Sequence, residues 1–233
     1  MAGHRVYTTS TLRVGAFQLQ VRQVLFHGAS NVPQQVADIL ANARNWLRNA
    51  ISVSTSGAGQ PVKEAFELCF RTPLDATKVN TVKGVLCTIR AALEADLGIK
   101  IRSEGDAYGY VNLHREDRPH LVMGVVQYDQ YAADFKTAAV AAPRGEIHLR
   151  ASDLSNKVFT TVTLLHEAGH KFANLRDHGM RGYFTNDLTR YREGQLTWQE
   201  ALVNADSYAV YICKVNEAYE NAVKAAPLRH AHA

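Results

Sequence analysis

The chain has 233 residues, 46% hydrophobic and 21% charged, with a formal net charge of +4. That is the composition of a globular chain able to bury a core, and it argues against disorder. Lys and Arg are scattered, no nucleic-acid motif occurs, and no apolar run is long enough to span a bilayer, so neither nucleic acid nor membrane insertion is expected. Cys69, Cys87 and Cys213 lie far apart and contain no C-x-x-C, which points to buried inert thiols rather than a disulfide framework.

Residues 1–30 form a weakly patterned N-terminal segment, with partial alternation from Arg13 to Phe26 that predicts a strand. From Pro33 the apolar positions Val36, Ile39, Leu40, Ala43, Trp46, Leu47 and Ile51 recur at helical spacing, with proline suited to the first turn. A loop from Ser52 to Pro61 and a short helix through Phe66 and Cys69 follow. Asp75 opens another helical pattern through Val79, Val82, Leu86, Ile89 and Leu93, ending near Gly98. The period then changes to that of strands at Ile99–Arg102, Tyr108–His114, Leu121–Val126 and Glu146–Arg150. His114, His120 and His148 lie in or beside these strands, none at chelating spacing from another.

The stretch from Thr161 to Ala173 carries the strongest signal. His166 and His170 are four apart, so a helix places both imidazoles on one face, and Glu167 sits one step round. This is the H-E-x-x-H arrangement of a zinc site with the glutamate as general base. Val158, Val162, Leu165 and Phe172 give the helix its apolar stripe, and Ser155 is the expected N-cap. A polar loop through Asp177, His178 and Tyr183 comes next. A last helix is predicted from Thr197, with the stripe Leu202, Ala205, Tyr208, Ile212, Val215 and Tyr219. Residues 225–233 should fray. Helices, then strands, then the metal helix and a C-terminal helix predict one α+β domain over residues 31–224.

Catalytic zinc usually takes three protein ligands and leaves one position for water. Arg176 excludes the metzincin histidine, which would stand six residues after the second of the pair. Asp177 ranks first as third ligand because it follows just after the helix end. Glu200 ranks second, since Thr197-x-x-Glu200 is also a capping box, and His178 ranks third.

His166-Glu-Ala-Gly-His170 followed by Asp177, and the later run Asn204-Ala-Asp206-Ser-Tyr208, are similar to the aspzincin peptidases, the group of deuterolysin and the peptidyl-Lys metalloendopeptidases. The resemblance covers residues 155–215. It implies a zincin-like fold, one catalytic zinc on His166, His170 and Asp177, and Glu167 as base. It also implies that Asp206 belongs to the pocket for the residue after the scissile bond. Three positions depart from the pattern. Leu175 replaces the loop threonine, Met180 replaces its tyrosine, and Ala209 stands where Lys-specific members have a second acid. Tyr183, three residues past Met180, is the nearest phenol able to stabilise an oxyanion.

The expectation is therefore a zinc endopeptidase acting on a protein or peptide. The alternative is a zinc-binding interaction domain that has lost peptidase activity. The N-terminal residues lack the pattern of a signal peptide. An active protease without one suits a bacterial effector or toxin exported by a specialised secretion system and held by an immunity or inhibitor protein, or a chain trimmed from a longer precursor.

Overall fold

A computed structural model of the chain describes residues 7–24, 31–102, 109–111 and 146–225. The fold is α+β. The strands are β1 (Tyr7–Val14), β2 (Phe17–Val24), β3 (Leu97–Arg102), β4 (Gly109–Val111) and β5 (Ile147–Arg150). The helices are α1 (Val32–Val53), α2 (Gln60–Phe70), α3 (Ala76–Leu93), α4 (Lys157–Ala173), α5 (Trp198–Leu202) and α6 (Ala205–Ala225). The predicted strand at 121–126 and residues 226–233 of the tail lie outside the described residues.

The chain forms two compact units, one of residues 1–45 and 87–176, the other of residues 46–86 and 177–233. The first holds a mixed sheet with strand order β1-β2-β3-β5-β4 among the described residues. β1 and β2 form an antiparallel hairpin closed by Gly15 and Ala16. Gly15 has φ +68, the left-handed conformation that a tight hairpin asks of its first turn residue. β2 runs parallel to β3, β3 parallel to β5, and β4 antiparallel to β5. The registers put Leu19 beside Leu97, Val21 beside Ile99, Ile99 in turn beside Ile147, and Ile101 beside Leu149, so the apolar alternation of each strand faces one side. All seven are buried.

Buried Arg44 ties this unit together. Its guanidinium donates to the carbonyls of Leu93 at 2.6 Å and Val14 at 3.0 Å, and it lies over the Phe17 ring. The carbonyl at the end of α3 is thereby satisfied by a cation, the favourable sign for a helix C-terminus.

In the second unit α2 packs against α6 and α5. Its core is aromatic. Phe70 stands edge-on to Tyr208 at 5.0 Å and to Tyr211 at 5.4 Å, Phe66 contacts Tyr211 at 5.9 Å, and Trp198 flanks both phenylalanines. The Tyr211 hydroxyl meets Ser54 Oγ at 2.7 Å. The single C-terminal helix predicted from Thr197 is in fact two. Val203 N–H turns back to the Glu200 carbonyl at 3.2 Å and Asn204 N–H to that of Ala201 at 3.3 Å, i to i−3 bonds that tighten and end α5. The Tyr208 hydroxyl donates to the Leu202 carbonyl, so a stripe residue of the second helix closes the first.

Candidate metal centre

The metal helix α4 is buried along almost its whole length, from Thr160 through Phe172 apart from a half-exposed Thr163. Its N-cap is Asn156 rather than the expected Ser155. The Asn156 side chain accepts from Phe159 N–H at 3.1 Å, filling one of the orphan donors of the first turn. Thr161 bonds back to the Lys157 carbonyl and also accepts from Asn42 of α1 at 3.1 Å. The helix is thus held from its polar as well as its apolar side.

Its C-terminus shapes the candidate centre. Asn174 adopts φ +54, the left-handed cap conformation that asparagine tolerates better than most residues. The chain reverses there, and Leu175 N–H bonds the Gly169 carbonyl at 3.1 Å. That bond carries the Leu175 carbonyl to His170, whose Nδ1–H donates to it at 2.8 Å. A proton on Nδ1 leaves the Nε2 lone pair of His170 outward, the arrangement in which a backbone carbonyl orients a metal-binding imidazole.

His170 Nε2 and His166 Nε2 lie 2.9 Å apart, in rings that are only 9% and 7% exposed. Within the same short stretch the reversed chain brings up Asp177, and one donor atom from each of His166, His170 and Asp177 lies within 4.8 Å of the others. Two imidazoles and a carboxylate with one coordination position to spare is the donor set of a catalytic zinc site, and the residues fit that ion. Asp177 is exposed, which leaves the open side accessible to solvent and substrate.

Glu167 is 6% exposed and lies against the first residue of β4. Glu200, the second choice for third ligand, is engaged elsewhere. It completes a capping box with Thr197, accepting from Thr197 N–H at 2.8 Å while its own N–H donates to Thr197 Oγ1, and it pairs with Arg181. The Thr197 backbone bond first, then the Arg181 guanidinium, hold its carboxyl down at about 2. His178 is outside the ligand group, and its backbone makes an isolated bridge to Met180. His148 is buried in the middle of the sheet, and His114 and His120 lie outside the described residues.

Tyr183 is half-buried in the loop after Asp177, and its carbonyl accepts from Arg192 N–H at 2.8 Å. Asp206, at the start of α6, accepts from the next residue, Phe184 N–H, at 2.8 Å. Asn204 reinforces that grip by donating to the Gly182 carbonyl at 2.9 Å. Its second N–H reaches Ser207 Oγ, which meets the Tyr191 hydroxyl, which donates to the Cys69 carbonyl. Each step has one possible donor direction, so the loop from Gly182 to Tyr191 hangs on a polar chain of fixed sense. The sequence carried a sign of this in the Asn204–Ser207 run, which the resemblance treated only as pocket lining.

No protein-family model and no curated protein matches the chain. Among solved structures, the chain is similar to a zinc peptidase from Grifola frondosa, with a TM-score of 0.50 and 13% identity over 81% of this chain and 98% of that one. At so low an identity the likeness is one of fold, and an α+β fold shared with a zinc peptidase is what the comparison establishes.

Proposed function

We propose that this chain is a zinc-dependent endopeptidase of the aspzincin type. The observation that carries this reading is the convergence of donor atoms from His166, His170 and Asp177, reinforced by the fold likeness to a zinc peptidase. A zinc ion held there supplies Lewis acidity toward a peptide carbonyl and acidifies water. His170 contributes Nε2 because its Nδ1–H is committed to the Leu175 carbonyl. Asp177 contributes a carboxylate oxygen from the loop.

Glu167, next to His166 on the helix, accepts a proton from the attacking water and returns it to the leaving amine. Tyr183 is the proposed donor to the developing oxyanion. Asp206 lies in the loop-facing start of α6, where the resemblance sets the pocket for the residue after the cleaved bond. The substrate strand pairs with β4, which ends the sheet on the α4 side among the described residues. β5 has β3 and β4 on its two sides and offers no edge to a substrate.

The test is bound metal by mass spectrometry together with hydrolysis of a peptide library. Wild type and Glu200→Ala should each carry about one zinc per chain, and Asp177→Ala little, as expected for a three-ligand site. Glu167→Gln should keep the metal and lose about a hundredfold or more in hydrolysis, the scale of a general base. Zinc lost from Glu200→Ala and kept in Asp177→Ala would sink the ligand assignment. Zinc without hydrolysis in wild type would favour the binding-domain alternative.

A further inference from the structure

Gly109 opens β4, and its backbone lies directly against the metal helix. A Cβ at this position would stand 2.8 Å from Thr163 Cγ2, 2.9 Å from Glu167 Cγ and 3.0 Å from Glu167 Oε1. These separations are too short for carbon against carbon or oxygen, so only hydrogen fits between strand and helix. Neither side yields easily. Gly109 is paired with Leu149 of β5, and α4 packs on both β4 and β5. Glu167 is itself 6% exposed. A carboxylate with no room for a methyl group between it and the strand loses the rotamers that would swing it that way.

We propose that Gly109 is a positioning residue for Glu167, its missing side chain letting the β4 backbone press on the carboxylate and hold it in one rotamer. This rests on the reading of Glu167 as the base. A base must stand within a few tenths of an ångström of its working position, and small misplacements are costly in rate. The same space also touches Thr163, and that contact separates positioning from packing. The Thr163 hydroxyl bonds the Phe159 carbonyl at 3.1 Å, a bond that serine retains while losing the crowded methyl.

Gly109→Ala, Thr163→Ser and the double variant are compared with wild type by thermal melting, zinc content, peptide hydrolysis, and the side-chain rotamer of Glu167 from carbon–carbon and carbon–nitrogen couplings in labelled protein as purified. Gly109→Ala should melt lower, and Thr163→Ser in the double variant should restore much of the melting temperature. Zinc content should stay at the wild-type level in all four. The Glu167 rotamer should remain changed in the double variant, with kcat down about tenfold or more and KM little altered.

An unchanged Glu167 rotamer in Gly109→Ala, or full recovery of kcat in the double variant, would overturn the proposal and leave Gly109 a packing glycine. A changed rotamer in a protein whose wild type cleaves no peptide would sustain the positioning and remove the peptidase reading. An active wild type with an unchanged rotamer would do the reverse.

Discussion

Asp206 shows how one carboxylate can be read as a substrate contact or as a scaffold. Its Oδ2 accepts from Phe184 N–H at 2.8 Å, and two residues upstream Asn204 holds the Gly182 carbonyl. Between them these side chains fix the segment that carries Tyr183. Asn204 is fully buried with both amide hydrogens used, while Gly182 leaves no room for a side chain, since a Cβ there would fall 2.6 Å from Asn204 Oδ1 and 2.8 Å from the His178 nitrogen. Asn204→Ala should therefore cost about 1–3 kcal/mol, the penalty for stranding a buried hydrogen-bond partner, and Gly182→Ala a similar amount by overpacking. Urea unfolding of both variants checks this. Asp206→Ala should lower stability, whereas Asp206→Asn retains an oxygen for Phe184 N–H and should stay near wild type. A loss of cleavage before lysine in Asp206→Asn at unchanged stability would instead mark Asp206 as a pocket acid.

At the level of elements, β5 carries an unusual load. His148 is 2% exposed in mid-strand, paired in register with Lys100 of β3 and Tyr110 of β4. Burial first, then the positive charges of Lys100, Arg102, Arg22 and Lys171, push its pKa down to about 4. The folded state keeps this imidazole neutral, while the unfolded chain protonates it near the ordinary value of about 6.5. Protons taken up on unfolding make stability rise with pH. Stability should accordingly fall as pH drops from about 6.5 to 4, by about 3 kcal/mol in total from this group. The pH dependence of urea unfolding for wild type and His148→Gln tests it, and equal slopes in the two proteins between pH 5 and 6.5 would show that His148 plays no part. Glu200 works in the same direction, at lower pH. Its carboxyl is lowered to about 2, so its contribution to the α5 cap is complete above the ordinary carboxylate range and disappears as pH falls toward 2.

For the molecule as a whole, the legible part was what repeats locally. The stripes through Val36–Leu47, Val79–Leu93 and Val162–Phe172 gave α1, α3 and α4, and the i, i+4 histidines gave two converging donors, because helix geometry depends only on near neighbours. The order of the strands was not legible. β2 meets β3 across more than seventy residues and β3 meets β5 across nearly fifty, pairings that no local pattern encodes. The split between α5 and α6 was hidden because a continuous stripe runs through it, while the Tyr208 hydroxyl and two i to i−3 hydrogen bonds mark it. That Asp177 comes close to the two histidines was legible in the chain, and its cause was not. Asp177 follows from the left-handed turn at Asn174 and the Leu175 carbonyl on His170, and no residue count reveals a carbonyl's direction.

That geometry gives the final prediction. The donors belong to one folded stretch, and an unfolded chain holds them apart, so an ion that binds there favours the folded state by mass action. At free zinc a hundredfold above its dissociation constant the gain is about 2.7 kcal/mol. Adding a chelator should lower the melting temperature of wild type, and adding zinc back should restore it. In Asp177→Ala the chelator should have little effect, because the site that coupled metal to folding is already lost. A chelator response as large in Asp177→Ala as in wild type would place the stabilising ion elsewhere and separate Asp177 from the metal altogether.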